Sequence, residues 1–358
     1  MAAIQSRKSD HIAIAASGNA NHEKTTLLEE VHLSHHSLPE CNFDDIDMSC
    51  QLMGFKLKAP LMISGMTGGT KEAGDINRAL AKAAQKHGLA MGLGSQRAMV
   101  EDKTLQRTYD IKSDIPDFPL FGNLGVVQAK AYGVKKIENL AQENRLDGLC
   151  IHLNPAQEMV QRDGDREFVG CVAFLQELKG SLSLPLVVKE TGAGMDMETL
   201  NQLSLVGIKA VDVSGSGGTS WTAVESLRDE RNGVYSELGK EFWNWGCPTA
   251  VSVVAAAKAG FEIIASGGVR TGLDIAKSLS LGAHIVGMAQ PFLKAYKENG
   301  DLGLDEKIVG LIRSLQTSML LTGSKNLKAL RDNTPYLGPN LQHELKVRGL
   351  QPFDGNNS

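Results

Sequence analysis

The chain has 358 residues, of which 42% are hydrophobic and 22% charged, with a formal net charge of −4. That balance is the one of a globular protein, and it leaves no basic footprint for nucleic acid. No run reaches the ~18 apolar residues that a membrane helix needs, and the opening MAAIQSRKSDHIAIAASGNA lacks an apolar stretch of signal-peptide length. Cys41, Cys50, Cys150, Cys171 and Cys247 are odd in number and show no C-x-x-C spacing, so reduced thiols and a cytoplasmic setting are expected.

Residues 1–45 are polar, rich in His and Asn and weakly periodic, and read as a partly flexible N-terminal arm rather than a domain. From there to residue 340 a repeating unit runs: a short apolar segment, a loop of Gly and polar residues, then an amphipathic helix. The apolar segments are PLMIS (60–64), LAMGLGS (89–95), PLFGNLG (119–125), GLCIHLN (148–154), PLVVKE (185–190), AVDVSG (210–215), FEIIASGG (261–268) and AHIVGMA (283–289). Between them, apolar positions recur every three or four residues in GDINRALAKAAQKHG (74–88), VKKIENLAQENR (134–145), DREFVGCVAFLQELKG (165–180), METLNQLSLVG (197–207), AVSVVAAAKAG (250–260) and TGLDIAKSLSLG (271–282). Several of these end in Gly, a preferred helix terminator.

Eight such alternations predict an α/β fold in which a parallel sheet closes into a (β/α)8 TIM barrel over residues 46–340, with a C-terminal tail at 341–358. A length of 358 residues could also hold two ordinary domains. An open doubly wound sheet is the competing architecture, but it has fewer strands and places its glycine fingerprint after the first. After the sixth segment the insertion SGGTSWTAVESLRDERNGVYSELGKEFWNWGCPTA (216–250) is long enough to cover a site at the C-terminal mouth. Its Trp221, Trp243 and Trp245 fit either subunit contacts or the packing of a lid.

Barrel enzymes carry their chemistry where strands end. The eight ends deliver, in order, Gly65, Met66, Thr67 and Gly68; Ser95, Gln96 and Arg97; Asn123; His152, Asn154, Gln157 and Glu158; Lys189; Ser214 and Thr219; Gly267, Gly268 and Arg270; and Ala289 and Gln290. One Asn at a strand end more often bonds loop backbone than a ligand. Eight small or polar ends together need something to bond. In ASGGVRTG the glycines let backbone N–H groups approach an anion at a helix start, the arrangement in which loops 7 and 8 of barrels hold phosphate. Lys189 closes a buried strand, which is costly unless an anion awaits it. A bound anionic cofactor answers that cost, and a Schiff-base lysine is the alternative.

Taken together, RKSDH, LPE, MTGG, GSQR, HLNPAQE, VKETGAG, DVSGSGGTSW with WGCPT, SGGVRTG and MAQ resemble the type 2, flavin-dependent isopentenyl diphosphate isomerases over nearly the whole chain. The Ser-Gly of ISGMTGG departs from the family's usual small pair and bears on one flavin contact. The resemblance implies FMN in its reduced form, Mg²⁺, NADPH as reductant, a homotetramer or homo-octamer, and conversion of isopentenyl to dimethylallyl diphosphate. It further implies a flavin site built from Gly65, Met66, Thr67, Gly68, Ser95, Asn123, Lys189, Ser214, Thr219, Gly268, Val269, Arg270, Ala289 and Gln290. Substrate would meet Arg7, Lys8, Ser95, Gln96, Arg97, His152, Asn154 and Gln157, with Gln157 and His152 nearest the chemistry and Glu158 on the metal. An FMN-dependent 2-hydroxy-acid oxidase would want a histidine after the sixth strand, where this chain reads SGSGGTSW. A non-catalytic flavin-binding barrel would leave Arg97, Gln157, Glu158 and the RK segment without a task.

Overall fold

A computed structural model describes residues 2–229 and 233–350, and at the N-terminus the side chains of Lys8 and of residues 10 onward. Eight parallel strands close into a barrel. They are β1 (Leu61–Ile63), β2 (Ala90–Gly92), β3 (Leu120–Gly125), β4 (Gly148–His152), β5 (Leu186–Lys189), β6 (Ala210–Asp212), β7 (Glu262–Ala265) and β8 (Ile285–Met288). Each lies inside one of the eight apolar segments, in the expected order, and β8 pairs with β1 to complete the ring.

The strands are buried on both faces because side chains alternate between two apolar environments. Met62, Ala90, Phe121, Cys150, Val187, Ala210, Ile264 and Ile285 form one cluster inside the barrel. Their chain neighbours, among them Leu61, Met91, Leu120, Leu149, Val188, Val211, Ile263 and Val286, pack outward with the helices. The inner cluster is completed from below by a hairpin, Cys50–Leu52 paired antiparallel with Phe55–Leu57. Met53 and Gly54 turn this hairpin with φ of 48° and 89°, the doubly positive pattern of a tight two-residue turn. Phe55 meets Phe121 edge to face at 6.0 Å. The N-terminal mouth of the barrel is therefore plugged with hydrocarbon.

Three elements differ from the sequence reading. The arm contains a helix, Ala2–Ser17, where no apolar stripe announces one; it is held by packing against the helices Trp221–Arg228 and Gln290–Leu321. The helix expected over 165–180 runs over Cys171–Ser181 instead. Gly170, at φ 84°, starts it, and residues 165–170 form a loop. The helix expected from residue 134 is preceded by another segment from Val126, with a break at Gly133, where φ is 73°.

Several helix starts are fixed as their sequences dictate. Thr70, Asp196, Ser220 and Thr271 each accept an N–H from the first turn that follows. The arm is tied to the end of the chain by a two-residue ladder, Val31 with Leu337 and His32 with Tyr336. Beyond it a helix covers Pro339–Val347, straddling the expected start of the tail at 341. Among the described residues no helix is long and apolar enough to cross a membrane.

Phe121 is fully buried between floor hairpin and barrel. Phe121→Ala should therefore lower unfolding free energy by about 3–5 kcal/mol, measured as the denaturant midpoint; a loss under about 1 kcal/mol would mean that the plug does not hold the barrel.

Candidate active site

One step of two residues along each inner strand face, the apolar floor ends. Met62 is followed by Ser64, Phe121 by Asn123, Cys150 by His152, Val187 by Lys189, Ala210 by Asp212 and Ile264 by Ser266. Period-2 geometry puts each second member on the same face as the first, one layer nearer the C-terminal mouth. All six polar residues line one cavity, which is roofed by Lys8, His11, Ile12 and Ala15 of the N-terminal helix and by Trp221.

On the β1, β7 and β8 side this cavity is built to receive an atom it does not itself supply. Ser64 Oγ and Thr67 Oγ1 are buried and lack a hydrogen-bond partner among the described residues. Gly94 allows the loops to close, since a Cβ there would lie 2.4 Å from the Thr67 nitrogen. Gly268 has φ 74°, a left-handed conformation that other residues adopt only with strain. The loop it shapes brings Val269 and Arg270 to the cavity wall beside the helix Gly272–Ser280. Arg270 donates to Gln290 Oε1 at 2.7 Å, and burial pushes its pKa down, the condition of a cation that lacks a full counter-charge. These features fit a phosphorylated cofactor with polar ring edges.

At the floor of the cavity Lys189 Nζ donates to the Glu190 carbonyl at 2.5 Å, and Asp212 is its register partner on β6. Glu190 points away, as alternation requires. Burial pushes its carboxyl up to about 7, and it accepts N–H groups from Thr191, Gly192 and Ala193. Asn123 fixes His152. The Asn123 amide nitrogen donates to the Leu93 carbonyl at 3.0 Å, so its oxygen faces His152 Nδ1 at 2.8 Å. Nδ1 must then carry the proton, and Nε2 of the neutral ring has a lone pair. Burial, then the charges of Lys189 and Lys8, hold this imidazole down at about 3. It is neutral at physiological pH.

The segment Asn154–Glu158 turns into a short helix, Pro155–Val160, and its side chains brace one another. Asn154 donates to Glu158 Oε1 at 2.7 Å, while the Asp165 N–H donates to Glu158 Oε2 at 2.7 Å. Burial raises the Glu158 pKa despite these bonds, so a cation beside it would be welcome. Arg97 donates to Glu101 at 2.7 Å and to Asp165 at 3.2 Å. Gln128 also donates to Asp165. No three His, Cys, Asp or Glu side chains among the described residues cluster as a metal cage. One carboxylate suits an ion that keeps its waters and takes other oxygens from a phosphorylated ligand.

Gln157 is oriented by a residue that sequence reasoning missed. Its amide nitrogen donates to Glu225 Oε1 at 3.0 Å. Glu225 is buried on the loop-6 helix and also meets His11 at 3.0 Å and Arg228 at 2.9 Å. Although burial opposes its charge, His11 and Arg228 hold this carboxyl down at about 2. His11 in turn lies edge-on to Trp221 at 5.2 Å. The arm helix, the insertion and Gln157 are thus one network.

Most of the residues expected from sequence meet here. Lys8, Gly65, Met66, Thr67, Ser95, Arg97, Asn123, His152, Asn154, Gln157, Glu158, Lys189, Ser214, Thr219, Gly268, Val269, Arg270, Ala289 and Gln290 all line the cavity. Two expected residues stand outside its wall. Gly68 packs on Tyr109, whose ring a Cβ would meet at 2.1 Å. Gln96 is buried behind Asn123 and accepts that residue's N–H at 3.1 Å. The Arg7 side chain lies outside the described residues. Asp212 and Ser266 were missed although the two-residue step from Ser214 and Gly268 places them on the inner face. His11, Glu225 and Asp165 carried no such signal, because the contacts that recruit them span distant segments. Of the tryptophans, Trp221 and Trp243 pack with Ala20, Ala223 and Val224 within the lid, whereas Trp245 is 60% exposed.

The family model of the FMN-dependent dehydrogenases matches residues 133–335. A flavocytochrome b2 variant superposes with a TM-score of 0.67 at 18% identity, covering 96% of this chain and 86% of that one. A mandelate oxidase bearing an FMN adduct gives 0.61 at 16% identity over 90% and 92%. At that identity the likeness speaks for the barrel alone, while the family model, over more than half of the chain, places it among the FMN-dependent dehydrogenases. Curated relatives narrow this. Isopentenyl-diphosphate delta-isomerases of Nostoc sp. and Halobacterium salinarum are 42% and 40% identical, over 92% and 91% of this chain and 95% and 92% of theirs. That of Metallosphaera sedula is 40% identical over 96% of this chain and 95% of its own. The chain belongs to the isopentenyl-diphosphate delta-isomerases, in their flavin-dependent type 2 form.

His152 and His22, the latter held down at about 4 chiefly by burial, bear on acid stability. Both lie below the ordinary value of 6.5, so below pH 6.5 the unfolded chain binds protons that the folded one refuses. Stability of the ligand-free protein should fall as pH drops from about 6.5 towards 4, with each histidine contributing up to about 1.4 kcal/mol per pH unit. His152→Gln should flatten that slope in urea titrations; an unchanged slope would mean that His152 is not held neutral.

Proposed function

We propose that this chain moves the double bond of isopentenyl diphosphate to give dimethylallyl diphosphate, using reduced FMN, Mg²⁺ on the diphosphate and NADPH as the reductant. The observation that carries this reading is the meeting of two anion-receiving regions in one roofed cavity, Lys189 with the Gly268–Arg270 loop on one side and Lys8, Arg97, His152 and Glu158 on the other. The reaction adds a proton at the terminal methylene and removes another from C2, with no net redox change. Its alkene is unactivated, and neither a neutral imidazole nor an amide is a strong acid. Reduced FMN, when bound, supplies the proton exchange beside the alkene.

The protein's residues bind and orient. Lys189 would offer its charge to the flavin ring, where negative charge concentrates on reduction. Ser64, Thr67, Ser214 and Thr219 meet the ring and ribityl groups, and the Gly268–Arg270 loop with Ala289 holds the phosphate. The Gln290 side chain ties that loop to the arm by donating to the Ala15 carbonyl at 2.6 Å. Asn123 fixes His152 through its oxygen and keeps a second amide hydrogen for the flavin. His152 faces the diphosphate through Nε2, and a nearby anion raises that atom's proton affinity. Arg97 and Lys8 add charge-assisted contacts, with Arg7 as a further contributor. Glu158 would hold Mg²⁺, which would offset the charge of the same diphosphate. Gln157, clamped by Glu225 and Asn154, orients the reacting carbons. The lid keeps water from them. Assembly as a homotetramer or homo-octamer, with Trp245 available for contacts between copies, belongs to the same reading.

Purified protein should be yellow, and product should form from isopentenyl diphosphate only after reduction and only with Mg²⁺. Turnover by the oxidised holoprotein, or none after reduction with both cofactors present, would overturn the proposal. Deleting residues 1–10 should raise the KM for isopentenyl diphosphate by about 10-fold or more, the loss of a charge-assisted contact of about 1.5 kcal/mol or more, with FMN affinity unchanged. Equal loss of both ligands would mean that the segment supports the fold instead.

A further inference from the structure

Lys189 is not the only ionisable residue at the cavity floor: Asp212 stands beside it, its pKa raised by burial against the lowering effects of the Lys189 charge and of bonds from Ser266 and Ser214. Asp212 is 3% exposed, lines the same cavity, and is the register partner of Lys189 on the neighbouring strand. Side chains of register partners in a parallel sheet point to the same face. Ser266 Oγ donates to Asp212 Oδ1 at 2.5 Å, and the Ser214 N–H donates to the same oxygen at 3.3 Å. Oδ2 takes no hydrogen bond from the described residues. The other titratable neighbours are His152 in this layer and Cys150 in the layer below, and both sense the Lys189 charge. His152 is neutral and Cys150 is a thiol pushed up to about 12 by burial, so neither balances the pair.

A buried carboxylate is costly beside a site meant for an anion, and nothing in the mechanism above uses it. If the only requirement were to bind reduced flavin tightly, a lone lysine would serve better. An enzyme that uses its flavin for proton exchange has another requirement: the proton affinity of the reduced ring must stay near the working pH. An uncompensated lysine would pull that affinity down by favouring the anionic ring.

We propose that Asp212 is a positioning residue that counterbalances Lys189, keeping the reduced flavin from being over-stabilised as an anion and so preserving its capacity to take and return a proton. Ser266 holds the carboxylate in place for this. The proposal rests on the reading of this cavity as the FMN site.

The test is the reduction potential of bound FMN, which a purely structural role for Asp212 would not move in a set direction. In Asp212→Asn the reduction equilibrium should shift tenfold or more towards the reduced form, about 30 mV for a two-electron couple. The reduced flavin should also become anionic at lower pH in its absorption spectrum. Lys189→Met should shift both readouts the opposite way. Asp212→Ser, which removes the charge with a smaller side chain, should match Asp212→Asn. An unchanged or more negative potential in either flavin-binding variant overturns the proposal. So does loss of FMN or of folding in both, which would make Asp212 a binding or structural group. A wild-type protein that binds no FMN would instead remove the reading on which the proposal stands.

Discussion

The constraint from which the rest follows is the change of solvent inside the barrel within one two-residue step. Below that step the interior is hydrocarbon, closed by the hairpin at Cys50–Leu57 and sealed by Phe55 on Phe121. Above it six of the eight strand faces carry a group that must be hydrogen-bonded or charge-balanced. A close-packed floor of this kind transmits little motion, so the polar layer stands at fixed positions. Asn123 can then select one tautomer of His152, and Lys189 stands beside its register partner Asp212 on the β5–β6 ladder. A looser floor would leave these groups free to find water.

The roof is built on different terms. The N-terminal helix has no apolar stripe of its own, and the contacts that hold its described residues include Ile12 against the core, His11 on Glu225, and the Gln290 amide on the Ala15 carbonyl. Each contact reaches a different part of the cavity. Glu225 also clamps Gln157, and Gln290 also holds Arg270. Placement of the helix is therefore coupled to both anion-receiving regions. Among the described residues of the helix only Ile12 is a buried hydrophobic, and a segment so lightly anchored opens locally at low cost, which is what entry of a diphosphate beneath it demands.

The barrel could be read from the chain because each strand is a short apolar run buried on two faces and each helix a striped one. Both are local patterns. The inner wall could be read almost as well, since strand ends in a closed barrel converge whatever lies between them. What could not be read was anything recruited by tertiary contact. The Ala2–Ser17 helix forms because the barrel offers it a bed. Asp165 reaches Glu158, Arg97 and Gln128 because residues 165–170 leave the helical path that their periodicity resembled. Glu225 sits in an insertion whose sequence gives no hint of the imidazole that will meet it. Asp212 is a different case: alternation from Ser214 marks it as inward-facing, yet the segment AVDVSG draws attention to its end rather than its middle.

The account stands or falls on both phosphorylated molecules sharing the C-terminal mouth. A crystal structure of the protein with reduced FMN and isopentenyl diphosphate tests it most directly. It should show the isoalloxazine over Lys189 and Asp212, the flavin phosphate against Gly268 and Arg270, and the diphosphate between Arg97, His152 and Glu158 beneath the N-terminal helix. Either molecule bound at the plugged mouth beside the Cys50–Leu57 hairpin, or the two lodged at opposite ends of the barrel, would contradict it.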